Sequence, residues 1–221
     1  MIPGALRVAR PFELVVVRHG RTAWNADGRF QGHTDVPLDE TGREQARALA
    51  VSLCGERFDA IVTSDLSRAR ETAETIASGR ITAPEADVRW REMRFGAWEG
   101  LTWTQIVASE PALAERSLTE PRGYVPPGGE SFADVCERVI EALLAIAAAV
   151  PHGGRVLVAT HAGPLHAVLR AVLGESAAAA LGVRFSPASV TRLAFDGAGA
   201  RVVVLNATVD TAAAGNGAER G

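Results

Sequence analysis

Two histidines, two arginines and one glutamate in this chain share a placement that suits them to handling an anionic group. Arg18, His19 and Gly20 follow the run Glu13-Leu14-Val15-Val16-Val17, whose apolar, β-branched character reads as a buried strand passing into a tight loop. His161 closes a second such run, Arg155 to Thr160, and Arg68 lies in the first turn of a helical pattern just beyond a third, Phe58 to Thr63. Glu92 belongs to the aperiodic stretch Trp90 to Gly100, rich in glycine, tryptophan and charge. Set together at one end of a sheet, these five residues describe a site for phosphoryl transfer. A phosphate dianion needs positive charge around its equatorial oxygens, an in-line nucleophile, and an acid for the departing alkoxide. Two arginines, two imidazoles and a carboxyl group meet those needs without a metal. Each signal has a plainer reading when taken alone. A histidine after a strand also fits a structural loop, and an arginine in a helix's first turn also fits a pair with a surface carboxylate.

The elements that must position these residues alternate strand and helix. A strand buried on both faces belongs in a largely parallel sheet, where ligands sit beyond the carboxyl ends of the strands. Asp39 precedes a helical pattern carrying Ala46, Leu49, Ala50 and Leu53, with Gly55 as its stop. Ser64-Asp65 offers an N-cap for a helix whose inner face is Ala69, Thr72, Ala73 and Ile76. Arg68 there meets the positive end of the helix dipole, a poor place for a cation unless an anion binds beside it. Leu101 to Tyr124 reads as short helices interrupted by Pro111 and Pro121, an insertion over one end of the sheet. Ser131 with Asp134 resembles a capping box opening a long helix with Val135, Val139, Ala142, Leu143, Ile146 and Val150 on one face. Gly163 and Pro164 open another, with Leu165, Val168, Leu169 and Val172 inside. Ser189 to Phe195 and Arg201 to Leu205 read as a hairpin. The pattern predicts an α/β fold in one compact domain with a largely parallel sheet. Residues 101–126 form its lid insertion, 1–11 an N-terminal extension and 207–221 a flexible tail.

Composition narrows the partners. The 221 residues carry 23 basic and 26 acidic side chains, a formal net charge of -3, which argues against a nucleic-acid or membrane-surface footprint. Every basic charge is arginine, since no lysine occurs. A P-loop lysine, a Schiff-base lysine and a Ser-Lys pair are thereby excluded. Arginine grips phosphate bidentately, although genome composition explains a lysine-free chain equally well. Cys54 and Cys136 fall in predicted helices without metal-type spacing and read as buried thiols of a reducing compartment. No leader-like apolar core precedes Arg10, and Ala142 to Val150 is too short to span a bilayer, so the expected location is the cytoplasm.

The motifs also carry a family resemblance. Arg18-His19-Gly20-Arg21-Thr22-Ala23-Trp24-Asn25, Gln31-Gly32, Ser64-Asp65-Leu66-Ser67-Arg68-Ala69 with Thr72-Ala73, Arg91-Glu92 with Gly96 and Trp98-Glu99-Gly100, Pro127-Gly128-Gly129-Glu130-Ser131, and His161-Ala162-Gly163 occur in this order. The chain thereby resembles the histidine phosphatase superfamily, also called phosphoglycerate mutase-like, over roughly residues 12–206, and the resemblance implies a single-domain three-layer α/β sandwich there, with a mostly parallel central sheet and helices on both faces. The resemblance implies that His19 is a nucleophile forming a phosphohistidine, that Arg18, Arg68 and His161 bind phosphoryl oxygens, and that Glu92 gives a proton to the leaving oxygen before activating water. It implies that Asn25 adds a neutral hydrogen bond to the phosphate, and Gln31, Gly32 and Ala162 are further substrate-binding candidates. No metal and no cofactor are expected. His19 must attack unprotonated and Glu92 must start protonated, which together favour a mildly acidic to neutral optimum.

Smaller expectations complete the reading. His33 and His166 are assigned to the rim and to a helix, and Trp98 and Trp103 to loop packing. Arg21, Gln31, Arg94, Arg116, Arg122 and Tyr124 are candidates for reading the rest of the substrate. Glycolytic mutases of the family carry a longer insertion after the proton donor, with an arginine pair and a lysine, and this chain lacks both. The expected activity is therefore metal-independent hydrolysis of a small phosphate ester, with a mutase or a catalytically weak phospho-ligand sensor as alternatives. The pattern fixes no oligomeric state, and a homodimer is compatible with it.

Overall fold

The computed structural model describes residues 8–196 and 199–209. Six strands form one sheet: β1 (Phe12–Arg18), β2 (Ala60–Thr63), β3 (Pro84–Ala86), β4 (Gly154–Thr160), β5 (Val190–Asp196) and β6 (Gly199–Ala207), in the order β3-β2-β4-β1-β5-β6. β3, β2, β4 and β1 run parallel, while β5 and β6 form the expected antiparallel hairpin beside β1. The hairpin's turn at 197–198, the extension up to residue 7 and the tail from residue 210 lie outside the described residues.

Alternation along β1 explains the layers. Leu14 and Val16 enter a core with Val135, Val139 and Leu143 of α6 (Phe132–Ala149) and Leu165, Val168 and Leu169 of α7 (Ala162–Leu173). Val15 and Val17 face Leu49 of α2 (Glu40–Ser52) and Ala73 and Ile76 of α3 (Ser67–Ala77) on the other side. Both faces are covered, so the central strands carry apolar residues throughout. α2 presses so closely on the loop after β1 that a Cβ on Gly20 would stand 2.3 Å from the Gly42 carbonyl oxygen. Gly20 is thus small to admit a helix.

Capping follows the sequence at α2, where Asp39 accepts from the Gly42 N–H, and at α6, where Ser131 and Asp134 form the capping box. It departs at α3. There the N-cap is Leu66, with no side-chain cap bond, and Asp35 from a distant loop accepts the Ser67 N–H at 2.7 Å. Asp65 is instead engaged by Arg91 through two hydrogen bonds of 2.7 and 2.5 Å. The short edge strand β3 carries Pro84 and two exposed residues, a pattern with no apolar signal, and was not expected. Cys136 is buried as predicted, but Cys54 is exposed, because α2 ends at Ser52 and the thiol falls in the turn beyond it.

The 101–126 segment contributes α4 (Trp103–Ser109) and α5 (Pro111–Thr119), and Pro111 begins α5. The short helices α1 (Ala23–Ala26) and α8 (Glu175–Ala180) complete the α-helices among the described residues, and single 3₁₀ turns lie at Val88–Trp90 and Gly96–Trp98. Trp98, Ile106, Ala114 and Tyr124 form a small separate core against Phe30, Phe95 and Trp103, so both Trp98 and Trp103 pack the loop as expected. No helix among the described residues is long and apolar enough to cross a membrane. An apolar cleft of about 540 Å³ lies between α6 and β2–β3, lined by Val62, Ala142 and Ile146, and contains none of the five residues singled out above.

Candidate active site

Strand order gathers the site. β2, β4 and β1 are adjacent and parallel, with Arg18 opposite Thr160 and Thr63 opposite Ala159. The residues that follow each strand therefore emerge side by side. The His19 N–H donates to the Thr160 carbonyl and the Ser64 N–H to the Ala159 carbonyl, carrying the sheet pattern one residue beyond its last rung.

His19 and His161 are buried, their ring centroids 5.0 Å apart. Nδ1 of His19 lies 2.7 Å from the Gly20 carbonyl oxygen, which can only accept, so Nδ1 carries the proton and Nε2 holds the free lone pair. His161 has the opposite tautomer. Its Nδ1 accepts from Nε of Arg68 at 3.2 Å, which leaves the proton on Nε2, 2.9 Å from the Ser64 hydroxyl. Burial pushes both imidazoles well below the usual histidine pKa, and the nearby Arg68 and Arg18 guanidiniums push them further. Both rings are neutral at pH 7.

The two guanidiniums have only neutral partners. Arg68, fully buried at the N-terminus of α3, donates to the Thr34 carbonyl at 2.9 Å and the Gly32 carbonyl at 2.8 Å, besides His161. Burial lowers its pKa to about 10, so it stays charged. Arg18 donates Nη1 to the Phe185 carbonyl at 2.5 Å, and its Nε is buried without any hydrogen-bond partner. Neither arginine has an ion pair among the described residues. One buried and one half-buried cation, neither hydrogen-bonded to a carboxylate and one with an orphaned N–H, describe a cradle for an anion.

Glu92 reaches this cradle from the turn between Trp90 and Phe95. Its Oε1 accepts the Met93 N–H at 2.8 Å and the Gly163 N–H, at the start of α7, at 2.9 Å. A Cβ on Gly163 would stand 2.3 Å from that oxygen, so only glycine lets the carboxyl group seat there. Both N–H groups engage the same oxygen, Oε1.

The remaining sequence candidates divide. Asn25 and Thr22 form a capping box on α1 that ties up Asn25 Oδ1 and leaves its amide N–H groups as donors. Gln31 is buried, its Oε1 3.0 Å from the Thr22 hydroxyl. Gly32 acts through its carbonyl on Arg68, and Ala162 is the first residue of α7, where helical N–H groups lack intrahelical acceptors. Among the substrate-reading candidates, Arg21 pairs with Asp39, Arg122 with Glu175, and Arg116 lies over the buried Tyr124 ring. Arg94 is exposed and has no ion pair among the described residues. His166 packs edge-on to Phe185 inside the protein, its pKa lowered by burial to about 4.

Several functional contacts escaped the sequence reading. Ser64 was quoted as a cap, yet its hydroxyl meets His161. His33, assigned to the rim, places Nε2 2.9 Å from the Glu92 carbonyl. Glu99 accepts from the N–H groups of His33, Thr34, Phe95 and Gly96. Arg138 had a legible signal: it falls three residues after Val135 and four before Ala142, inside the apolar stripe of α6.

The chain is similar to proteins of known family. The profile of the histidine phosphatase superfamily (branch 1) matches residues 14–208. A metal-independent phosphoserine phosphatase of Arabidopsis thaliana is 38% identical over 172 residues, covering 76% of this chain and 72% of that protein. Phosphoglycerate mutase-like protein 4 of Arabidopsis thaliana is 37% identical over 160 residues, covering 71% and 69%. The solved structure of a mycobacterial glucosyl-3-phosphoglycerate phosphatase in complex with VO3 superimposes with a TM-score of 0.80 at 35% identity, covering 90% of this chain and all of that one.

Proposed function

Because the chain belongs to branch 1 of the histidine phosphatase superfamily, and is by its relatives a phosphomonoester hydrolase, we propose that it cleaves small phosphate esters through a phosphohistidine at His19. Nε2 of His19 attacks phosphorus as the ester P–O bond breaks, and the proton on Glu92 passes to the departing alkoxide. Attack leaves positive charge on the imidazole, and the Nδ1–H bond to the Gly20 carbonyl steadies it. Glu92, now a carboxylate, takes a proton from water. The water oxygen attacks phosphorus, the P–N electron pair returns to Nε2, and phosphate leaves with Glu92 protonated again. Arg18 and Arg68 balance the charge on the equatorial oxygens throughout, neutral His161 lines the same pocket, and Asn25, Gln31, Gly32 and Ala162 complete the substrate site.

The observation that carries this reading is a neutral His19, its tautomer set for Nε2 attack, beside two guanidiniums that no carboxylate hydrogen-bonds. Residues 101–126 serve as the lid that selects the leaving alcohol, supported by their separate core beside the site. The net charge of -3 supports a small-molecule partner over nucleic acid or a membrane surface, and two free cysteines support a reducing cytoplasm.

A mutase is the second reading, favoured by the relative named phosphoglycerate mutase-like. Phosphate release from a panel of phosphate esters, measured with a chelator present, tests the first reading. Turnover of several esters is expected. Interconversion of 3-phosphoglycerate and 2-phosphoglycerate faster than phosphate release would favour the second.

A further inference from the structure

Glu92 sits on a turn with no helix or strand to hold it, yet proton transfer tolerates little misplacement. What holds it comes from α6 and from the loop before α2. Arg138 donates Nη1 to the Arg89 and Arg91 carbonyls, both at 2.7 Å, and Nη2 to the Glu92 carbonyl at 3.0 Å. Three carbonyls of one turn thus converge on a single guanidinium. Arg138 is itself fixed by Glu130, with Nη2 to Oε1 at 2.9 Å and Nε to Oε2 at 3.3 Å, and Glu130 Oε1 also accepts the Arg94 N–H at 2.8 Å. The turn is gripped on both sides of Glu92.

His33 joins this grip to the phosphate cradle. Its Nε2 must carry a proton, because the Glu92 carbonyl 2.9 Å away can only accept. His33 also lies between Gly32 and Thr34, whose carbonyls hold Arg68. Glu99 fastens that loop from behind, with Oε1 on the His33 N–H and Oε2 on the Thr34 N–H and hydroxyl. We infer that Arg138 and His33 are positioning residues that fix Glu92 against the phosphoryl group, with His33 coupling the acid to the Arg68 clamp. The inference rests on the reading of Glu92 as the proton donor.

Leaving-group dependence separates positioning of an acid from support of the fold. p-Nitrophenolate departs with little help from an acid, whereas an alkoxide needs it, and kcat/KM reports every step up to departure of the alcohol. The experiment measures kcat/KM for p-nitrophenyl phosphate and glycerol phosphate in the parent, Glu92→Gln, Arg138→Met, His33→Phe and His33→Gln. Glu92→Gln is expected to lose about 10²–10⁴-fold on glycerol phosphate and far less on the aryl ester. Arg138→Met and His33→Phe should show the same selectivity at about tenfold or more, and His33→Gln, which keeps an N–H donor, should recover most of it. Equal losses on both esters, or no loss on either, in Arg138→Met and His33→Phe would overturn the inference. If Glu92→Gln itself loses both esters equally, the assignment of the acid fails instead, and the two failures are told apart.

Discussion

The two ends of the central sheet treat arginine in opposite ways. Toward the amino ends of β1 and β4, Arg155 and Arg192 close a ring with Glu13 and Glu56: Arg155 meets Glu13 at 2.6 Å and Glu56 at 3.2 Å, and Arg192 meets them at 3.1 and 2.5 Å. Each charge faces two of the opposite sign. Hydrogen bonding to Arg192 holds the Glu56 carboxyl below its usual range. At the carboxyl ends, the fully buried Arg68 and the half-buried Arg18 hydrogen-bond only to carbonyls and an imidazole. Burying a charge without a counterion is costly, so the fold carries that cost where an incoming dianion removes it. On the proposed function, the ring at the amino ends serves stability and the open carboxyl end serves the ligand.

The largest effect that would break this comparison is expected at the open end. Arg18→Met should lower kcat/KM by about 10²–10³-fold, the range for losing one preorganised donor, while thermal unfolding shows a melting temperature equal to or above the parent's. A large drop in melting temperature would mean that Arg18 is structural. At the closed end the pattern should invert. Arg192→Leu leaves Glu13 and Glu56 short of a partner and should cost about 2–3 kcal/mol in denaturant unfolding, with kcat/KM unchanged.

Acid sharpens the contrast next. Burial lowers the pKa values of His19, His161 and His166, so the unfolded chain binds protons below pH 6.5 that the folded chain refuses. Stability is therefore full above pH 6.5 and falls as pH drops. For His166, lowered to about 4, the loss between pH 7 and pH 5 is about 2 kcal/mol, and His166→Phe should flatten the curve by that amount in denaturant titrations. The smallest effect belongs to neither end. Arg116 and Glu120 form an exposed pair on α5, and Glu120→Gln should shift stability by less than about 0.5 kcal/mol.

Much of the open end was legible because chain order and space coincide there. β1 and β4 read as doubly buried strands, and His19 and His161 each follow the last strand residue, so adjacency followed once the strands were parallel. The closed ring was not legible, since Glu13, Glu56, Arg155 and Arg192 come from distant parts of the chain and no local pattern pairs them. The same reason hid Asp35 as the partner of α3, whose local sequence offered Ser64 and Asp65. Glu92 was found through its motif, but its support from Arg138 depends on how α6 packs. Cys54 was misplaced for a local reason, a helix that stops at Ser52.

The central claim is that the open end exists to carry a phosphoryl group on His19. Brief mixing with a radiolabelled phosphate ester, followed by denaturation in alkali, tests it most directly in the parent and in His19→Ala. The account predicts an acid-labile, alkali-stable label on the parent at His19, formed with a chelator present and absent from the variant. Hydrolysis by the parent without such a label, or equal labelling of His19→Ala, would contradict it.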